Sequence, residues 1–380
     1  MSKINVRSPY FINISANGLA SVELKLHIYS GTKTTSRPAT ATYTLSADAI
    51  LSGTGLNTSS FEIAELVRDY ISNTFNDTYS SSNLWVDYTT QETNLAGSTG
   101  SVSSFTQLTA FDGYGYFEDA ANPQNDLVTL QSNELIFTND FSAIRIPVYV
   151  SSATSVTYLK DKEQIFRKDL ATSTSSTLQI QYVENSALDA DAFKNRVDDI
   201  ADTTVEAFNC VKAIANEVYQ EFDADAIYIE QGGVVDVIKV QEIEECKHSP
   251  YKVTFINKYG ALQDLWFFKR ANLSLSTNQE NYTANIVSNG TYSINQASKT
   301  IFNKTGVESL KLNTGFYPES YNEIFRQLSL SQEVWIMYEG ETLPITVMTS
   351  SLNYKTSIND KLINYTIDVE FAFNKINNIR

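Results

Sequence analysis

Apolar and polar residues alternate along several short stretches of this chain, and that alternation constrains the fold more than any other feature. It is clear over residues 22–28, 178–183 and 365–371, where branched or aromatic side chains occupy every second position. Successive side chains of a strand point to opposite faces of its sheet, so each stretch predicts a strand with one buried and one wet face. Such strands are typical of antiparallel sheets. We therefore predict a mainly β protein of antiparallel sandwich-like domains with a few short helices.

Composition supports a folded chain and argues against several functions. Hydrophobic residues make up 42% of the 380 residues and charged residues 19%, which favours buried cores over acidic disorder. The net charge of −16 repels a phosphate backbone, so nucleic acid is not an expected partner. The N-terminal residues show no signal-peptide pattern and no apolar run could span a bilayer. We expect neither export nor membrane insertion, and we expect Cys210 and Cys246 to be unpaired.

Helices are expected at three places. The first prediction covers residues 61–73, with Ser59 and Glu62 as a capping box. A second short helix should begin near Pro318 and bury Ile324, Phe325 and Leu328. The third covers residues 191–222, where an interrupted helical period leaves strands as the alternative.

The domain boundaries are weakly marked by composition. A polar hinge at residues 151–155 and a polar stretch at residues 272–281 divide the chain into three parts. We predict an N-terminal β-rich domain with one helix over 1–150, a middle α+β domain over 151–270, and a C-terminal β-rich assembly domain over 271–380. Gly232 and Gly233 lie between two strand-like stretches and predict a two-residue hairpin turn.

The sequence contains few candidate catalytic residues. Residues 112–119 combine acids with two glycines and could suit calcium, but the spacing is not that of an EF-hand. A glycine turn at positive φ is the favoured interpretation. Among 44 acids some pair will have the separation used in glycoside hydrolysis, but nothing singles one out. His27 lies on the polar register of its strand and His248 precedes Ser249 in a predicted turn, so the sequence indicates no histidine with a nucleophile held in catalytic geometry. We predict no catalytic, cofactor-binding or metal-binding residues and no cofactor.

Two C-terminal stretches carry a family resemblance. Residues 253–268, VTFINKYGALQDLWFF, and residues 343–379 resemble virion structural proteins of tailed bacteriophages, in particular β-rich components of the tail, baseplate or neck. RSPYFI at residues 7–12 is compatible with the same group. The resemblance implies a non-enzymatic structural subunit located in the virion and assembled in the host cytoplasm. Its expected partners are further copies of itself in a ring and other phage tail proteins.

Two other functions stay open. One is a carbohydrate-binding adhesin or receptor-binding protein on the same particle, with a host surface glycan as its partner. The other is a polysaccharide-degrading enzyme. An adhesin needs a solvent-facing aromatic cleft, whereas a ring subunit needs large complementary flanks.

The predicted assembly element is a β-hairpin over residues 341–373. Its strands, residues 343–353 and 361–373, flank a polar turn at residues 357–360. The predicted interface residues of this segment are Tyr354, Ile358, Tyr365 and Phe371. In the alternative interpretation, the apolar face of the second strand packs in the core of its own domain.

Overall fold

The computed structural model describes residues 3–51, 55–80, 83–124, 127–140, 143–150, 152–170, 180–184, 224–348 and 362–376. Strands account for 54% and helices for 7%, which confirms the mainly β prediction. The chain divides into two compact units, Met1–Glu244 with Thr254–Leu265 and Glu245–Val253 with Trp266–Arg380. The boundaries predicted after residues 150 and 270 stay predictions.

The first unit begins with a sheet packed against a two-stranded ribbon. The strands are β1 (Lys3–Asn5), β2 (Phe11–Asn17), β3 (Leu19–Tyr29), β4 (Tyr43–Asp48), β5 (Leu56–Glu62), β6 (Asn83–Asn94) and β7 (Thr106–Phe111). The sheet has the order β1-β7-β6-β3-β4, and β2 pairs with β5. Only the β1–β7 pair among these is parallel. Alternate residues of β3, such as Val22, Leu24 and Leu26, join Ile12 and Phe61 in one buried core, as the alternation predicts.

The first predicted helix is much shorter than expected. Helix α1 spans only Ala64–Arg68, because residues up to Glu62 belong to β5. Ser59 lies in that strand and donates its hydroxyl proton to the Ala47 carbonyl at 3.2 Å, so it is not a helix cap. The carboxylate of Glu62 instead accepts the amide proton of Ala64 at 2.9 Å. The capping-box prediction is therefore wrong, since the same spacing of Ser and Glu falls on a strand.

A second sheet and ribbon complete most of the first unit. The strands are β8 (Leu135–Thr138), β9 (Arg145–Tyr149), β10 (Thr154–Lys160), β11 (Glu163–Leu170), β12 (Ile180–Glu184), β13 (Ala226–Gln231) and β14 (Val234–Glu242). The sheet order is β11-β10-β13-β14-β8, and β12 pairs with β9. Gly232 and Gly233 have φ of +58° and +85° and connect β13 to β14. This confirms the predicted hairpin, because two central residues at positive φ match the twist of the flanking strands.

The second unit is built on a long sheet. The strands are β15 (Tyr251–Ile256), β16 (Leu262–Phe267), β17 (Lys269–Thr283), β18 (Lys299–Asn313), β19 (Tyr317–Pro318), β20 (Val334–Tyr338), β21 (Glu341–Val347), β22 (Leu362–Ile363) and β23 (Thr366–Phe371). The sheet order is β16-β15-β20-β21-β23-β18-β17, and β19 pairs with β22. Strands β15 and β16 each cross the boundary between the units along the chain. The polar residues 272–281, predicted as a break, lie inside β17.

The helix of the second unit matches its prediction. A 3-10 turn at Glu319–Tyr321 follows Pro318 and leads into helix α2, Asn322–Leu330. Ile324, Phe325 and Leu328 are all buried, as predicted. The third predicted helix, over residues 191–222, lies outside the described residues.

Candidate functional site

The structure describes two of the four predicted interface residues. Tyr354 and Ile358 lie outside the described residues. Tyr365 and Phe371 are both buried within the second unit. The Tyr365 hydroxyl donates a hydrogen bond to Asn322 Oδ1, and its ring lies 4.4 Å from that of Phe325. Tyr365 thus anchors helix α2 to the sheet.

Phe371 has a similar position at the other end of β23. Its ring contacts those of Tyr338 and Phe373, at centroid distances of 5.3 Å and 5.6 Å. The antiparallel pairing predicted for this hairpin is confirmed, since Ile345 of β21 lies opposite Phe371 of β23. The apolar face of β23 therefore packs in the core of its own unit, as in the alternative interpretation.

The hairpin of β17 and β18 is exposed over most of its length. The two strands pair from Lys269↔Asn313 to Thr283↔Lys299. Strand β18 pairs with β23 only over residues 309–313, so residues 275–308 form a two-stranded ribbon with a connecting loop. We call these residues the arm. At about 3.4 Å per residue, its paired strands extend about 30 Å from the three-stranded root.

One face of the arm continues the buried face of the sheet. Residues opposite each other in an antiparallel pair share a face. Leu310, which is buried, lies opposite Leu273, and the pairs on the same face further out are Leu275↔Glu308, Thr277↔Gly306, Gln279↔Lys304 and Asn281↔Ile301. We call this the Leu275 face of the arm. Leu275 is 56% exposed and Ile301 50% exposed. Near the root, Lys375 covers part of this face, since its amide donates to the Gly306 carbonyl at 2.7 Å.

The opposite face of the arm is mainly polar. It carries the pairs Ser276↔Val307, Asn278↔Thr305, Glu280↔Asn303 and Tyr282↔Thr300. Phe302 falls at a shift in the register, where β18 has one extra residue between Asn303 and Ile301. Each face of the arm therefore carries a few apolar side chains among polar ones.

Charge in the arm differs from that of the whole chain. Residues 275–308 contain Lys299, Lys304, Glu280 and Glu308 and so have no net charge, whereas the chain carries −16. On the Leu275 face the carboxylate of Glu308 is paired with Lys375 Nζ at 2.8 Å. Lys304 is the other ionic side chain of that face among the paired positions. Beyond Glu308, the Leu275 face thus combines Leu275 and Ile301 with Thr277, Gln279, Asn281 and Lys304.

The first unit contains a partly buried carboxylate that accepts protons from two hydroxyl groups. Tyr79 donates its hydroxyl proton to Asp264, with its oxygen 2.8 and 2.7 Å from the two carboxylate oxygens, and Thr254 donates to Oδ1 at 2.6 Å. Burial raises the pKa of Tyr79 far above its usual range, and the adjacent carboxylate raises it further. Tyr79 is therefore a fixed, neutral donor. The cluster connects the segment around Tyr79 to β16 and so acts as a structural contact.

His27 is buried, although its place in β3 predicts the polar register. Its Nδ1 donates to the Pro38 carbonyl at 3.0 Å, and its ring lies edge-on to Phe105 at 5.2 Å. Nearby, the buried Asp87 accepts hydrogen bonds from Arg37 Nε at 2.5 Å and from the Tyr29 hydroxyl at 2.9 Å. These contacts hold the segment after β3 against the outer face of the sheet. These are packing contacts, and none of them places a nucleophile beside a general base.

The glycines of residues 112–119 serve close packing and not a turn at positive φ. Neither Gly113 nor Gly115 has positive φ, which corrects the prediction. A Cβ on Gly113 would lie 2.6 Å from Asn5 Oδ1 and 2.8 Å from the Lys258 carbonyl oxygen. Within the described ranges, no three His, Cys, Asp or Glu side chains are grouped as a metal site. The predicted lack of a metal requirement stays a prediction.

A polar cleft of about 550 Å³ lies beside strands β10 and β11. Its lining includes Thr154, Ser155, Arg167, Asp169 and Glu230. The Arg167 guanidinium donates to Ser155 Oγ at 3.1 Å, which holds one wall. The lining residues include no aromatic side chain, so this cleft lacks the stacking surface expected of a sugar-binding adhesin.

Comparison of the sequence with protein-family models finds no match, and comparison with curated proteins finds none either. Among the described residues, no helix has the length and apolar character required to cross a membrane. Cys246 is a free, exposed thiol, and Cys210 lies outside the described residues. The arm is the feature that sequence reasoning missed, because its alternation of leucine with serine and asparagine resembles that of any half-buried strand.

Proposed function

We propose that the protein is a non-enzymatic structural subunit of a tailed-phage virion, in the tail, baseplate or neck, which assembles through β-rich surfaces. The observation that carries this proposal is the arm. An isolated two-stranded ribbon is marginally stable in water at best. Exposed side chains such as Leu275, Ile301 and Phe302, on a ribbon that leaves the main sheet, are typical of surfaces that another chain covers.

The resemblance of residues 253–268 and 343–379 to phage virion proteins supports the choice of particle. Under this proposal the partners are further copies of the chain, in a ring, and other tail proteins. The protein acts in the virion, is assembled in the host cytoplasm, and functions without cofactor, nucleic acid or membrane insertion.

The hairpin of residues 341–373 has a supporting role in this proposal. Strand β23 pairs with β18 over residues 309–313, directly at the root of the arm. Tyr365 and Phe371 stabilise that root by packing in the core beneath it. Tyr354 and Ile358 stay proposed contact residues of the same segment.

The direct test is the composition of the particle. Mass spectrometry of purified phage particles from the source of this sequence should find the chain in a fixed ratio to other tail proteins. Electron microscopy of the purified chain should show rings or other closed assemblies. A chain that is missing from particles and monomeric at every concentration contradicts the proposal.

The adhesin alternative has one specific observation in its favour. Tyr282, Tyr292 and Phe302 are all exposed in the distal part of the arm, and such rings can stack on sugars. A glycan array probed with the wild-type chain and with Tyr292→Ala distinguishes the two functions. Glycan binding that the substitution abolishes, without any change in assembly, favours the adhesin.

A further inference from the structure

We propose that Asn289, at the tip of the arm, is a site of spontaneous deamidation, a covalent modification that converts its side-chain amide to a carboxylate. The backbone nitrogen of Gly290 attacks Cγ of Asn289, the bond from Cγ to Nδ2 breaks, and the side-chain nitrogen leaves as ammonia with the Gly290 amide proton. Water then hydrolyses one of the two carbonyl–nitrogen bonds of the cyclic imide, which yields aspartate or isoaspartate. The reaction needs no enzyme, metal or oxidant. The proposal does not depend on the proposed function.

Asn289 and Gly290 form a tight turn at the tip of the arm. Ser288 and Thr291 flank them as an isolated antiparallel bridge, with amide-to-carbonyl hydrogen bonds of 2.9 and 3.0 Å in the two directions. The two central residues have φ of +51° and +77°, the conformation favoured in two-residue hairpin turns. Asparagine and glycine both adopt this left-handed conformation readily. Both residues are exposed.

The attacking nitrogen is not held in the closed turn. Within the part of the chain that the structure describes, the Gly290 amide donates no hydrogen bond. A Cβ on Gly290 would meet no heavy atom within 4 Å, so the turn stands clear of the rest of the described chain. Glycine also lacks the side chain that hinders attack at other residues.

The turn has to open before the nitrogen can attack, because ring closure rotates the Cα–C bond of Asn289 out of the left-handed conformation. Little structure resists that opening. Residues 284–287 and 292–298, which belong to no strand or helix, separate the bridge of the turn from the paired ends of β17 and β18. Tyr292 and Ile294 beside the turn are 66% and 91% exposed, so opening breaks few buried contacts. Such exposed segments lie at the low end of local stability.

The chain contains one other Asn-Gly pair, which provides an internal comparison. Asn17 ends β2 opposite Leu56 of β5, and Gly18 connects β2 to β3. The Gly18 amide donates to the Gly55 carbonyl at 3.4 Å, and the Gly18 carbonyl accepts from the Leu95 amide at 2.8 Å. Rotation about the Cα–C bond of Asn17 disturbs the contacts with both neighbouring segments. We therefore expect the same dipeptide to react much more slowly there.

The product changes the charge of the arm tip. Residues 281–307 contain Lys299 and Lys304 but no aspartate or glutamate, so the new carboxylate is the first in this stretch. The two lysines and two glutamates of the whole arm balance, so the modified arm becomes acidic. The isoaspartate product also adds one main-chain atom between Ser288 and Thr291. A partner that contacts the tip therefore meets a different surface on an aged chain.

Peptide mapping of the purified full chain tests the proposal. The chain is incubated in a mildly alkaline buffer made with oxygen-18 water, so that hydrolysis of the imide labels each new carboxylate. Trypsin then releases residues 271–299 and 8–25, which contain one Asn-Gly pair each, and mass spectrometry follows the labelled fraction over time. Asn289 should convert about tenfold or more faster than Asn17 in the folded chain, because opening an exposed turn costs far less than opening a paired strand end.

Two controls separate the effect of structure from that of the dipeptide. In concentrated urea both pairs should convert at similar rates, since neither is folded. Gly290→Asn should suppress conversion at Asn289 several-fold, because the new side chain hinders the attack. Asparagine tolerates the positive φ of this position, and its Cβ meets no neighbour. The melting temperature of the variant should therefore equal that of the wild type.

Three results overturn the proposal. If Asn289 stays intact in the folded chain and converts only in urea, the turn does not open. Equal rates at Asn289 and Asn17 in the folded chain show that the dipeptide alone, and not the exposed turn, sets the reactivity. Undiminished conversion at Asn289 in the Gly290→Asn chain excludes the attack by the unhindered glycine nitrogen.

Discussion

Leu273 and Leu310 lie opposite each other in the β17–β18 hairpin, yet Leu273 is 51% exposed and Leu310 is 2% exposed. Leu310 also lies opposite Val369 of β23, which covers its other side. Leu273 is on the edge strand of the sheet. This pair therefore marks the point at which the sheet leaves the core and the arm begins.

Truncation of leucines on either side of this point should have very different effects on stability. Leu310→Ala should lower the free energy of unfolding by about 2–5 kcal/mol, because it leaves a cavity in the core. Leu275→Ala should change it by less than about 0.5 kcal/mol in the monomer, since the side chain is exposed. Urea denaturation of both variants measures the difference. Equal losses would show that the arm is part of the folded core.

The contact between Arg37 and Asp87 should be one of the few ion pairs that matter for stability. Asp87 is fully buried, so Arg37→Ala leaves its carboxylate without its cation and should cost about 3–5 kcal/mol. The exposed pair of Lys25 and Glu23, at 3.1 Å, provides the control, and Lys25→Ala should cost less than about 1 kcal/mol. Thermal unfolding at neutral pH compares the two. Similar small effects would mean that water replaces the guanidinium at Asp87.

Gly113 should not tolerate a side chain. Its Cβ would meet Asn5 and the backbone at Lys258 at under 3.0 Å, so Gly113→Ala should cost about 1–3 kcal/mol through overpacking. Gly100→Ala is the matched control, because its Cβ would come no closer than 3.6 Å to the Glu92 carbonyl oxygen. Chemical denaturation should show a clear loss for the first variant alone. A Gly113→Ala chain as stable as Gly100→Ala would contradict the close packing.

Asp112 should make stability depend on pH. Burial raises the pKa of its carboxyl above the usual 3.8, against the lowering effect of Arg7, Arg68 and the hydrogen bond from Asn73. The folded state therefore holds the proton more tightly than the unfolded state. The contribution of Asp112 to stability is largest below pH 3.8 and is lost as the pH rises through its folded pKa.

Asp112→Asn removes this dependence, because the amide keeps an oxygen for Asn73 but cannot ionise. The stability of the variant relative to wild type should rise between acid and neutral pH. Urea denaturation over a pH series tests this expectation, and parallel curves for both chains would contradict it.

Local patterns predicted the strands well and the ends of elements less well. The alternation in β3 and β23 and the Gly232-Gly233 turn were predicted correctly. A strand with one buried face needs an apolar residue at every second position, and a tight turn with positive φ favours glycine. The spacing of Ser59 and Glu62 led to a wrong capping-box prediction, since the same spacing also occurs in a strand.

The arm could not be predicted because exposure is not a local property. Leu275 and Ile301 alternate with polar residues as core strands do, and only tertiary packing decides whether another layer covers them. The polar residues 272–281, from which a domain boundary is predicted, lie inside β17. Tyr365 and Phe371 show the converse, since their pattern was right for a strand while packing placed them in the core.

The most direct test of the account is removal of the arm. Replacing residues 277–306 with Asn-Gly joins Ser276 to Val307 through a two-residue turn and keeps the root paired with β23. Light scattering after size exclusion, over a concentration series, then compares this chain with the wild type. The account predicts a folded monomer for the shortened chain where the wild type assembles; assembly of the shortened chain to the wild-type mass would contradict it.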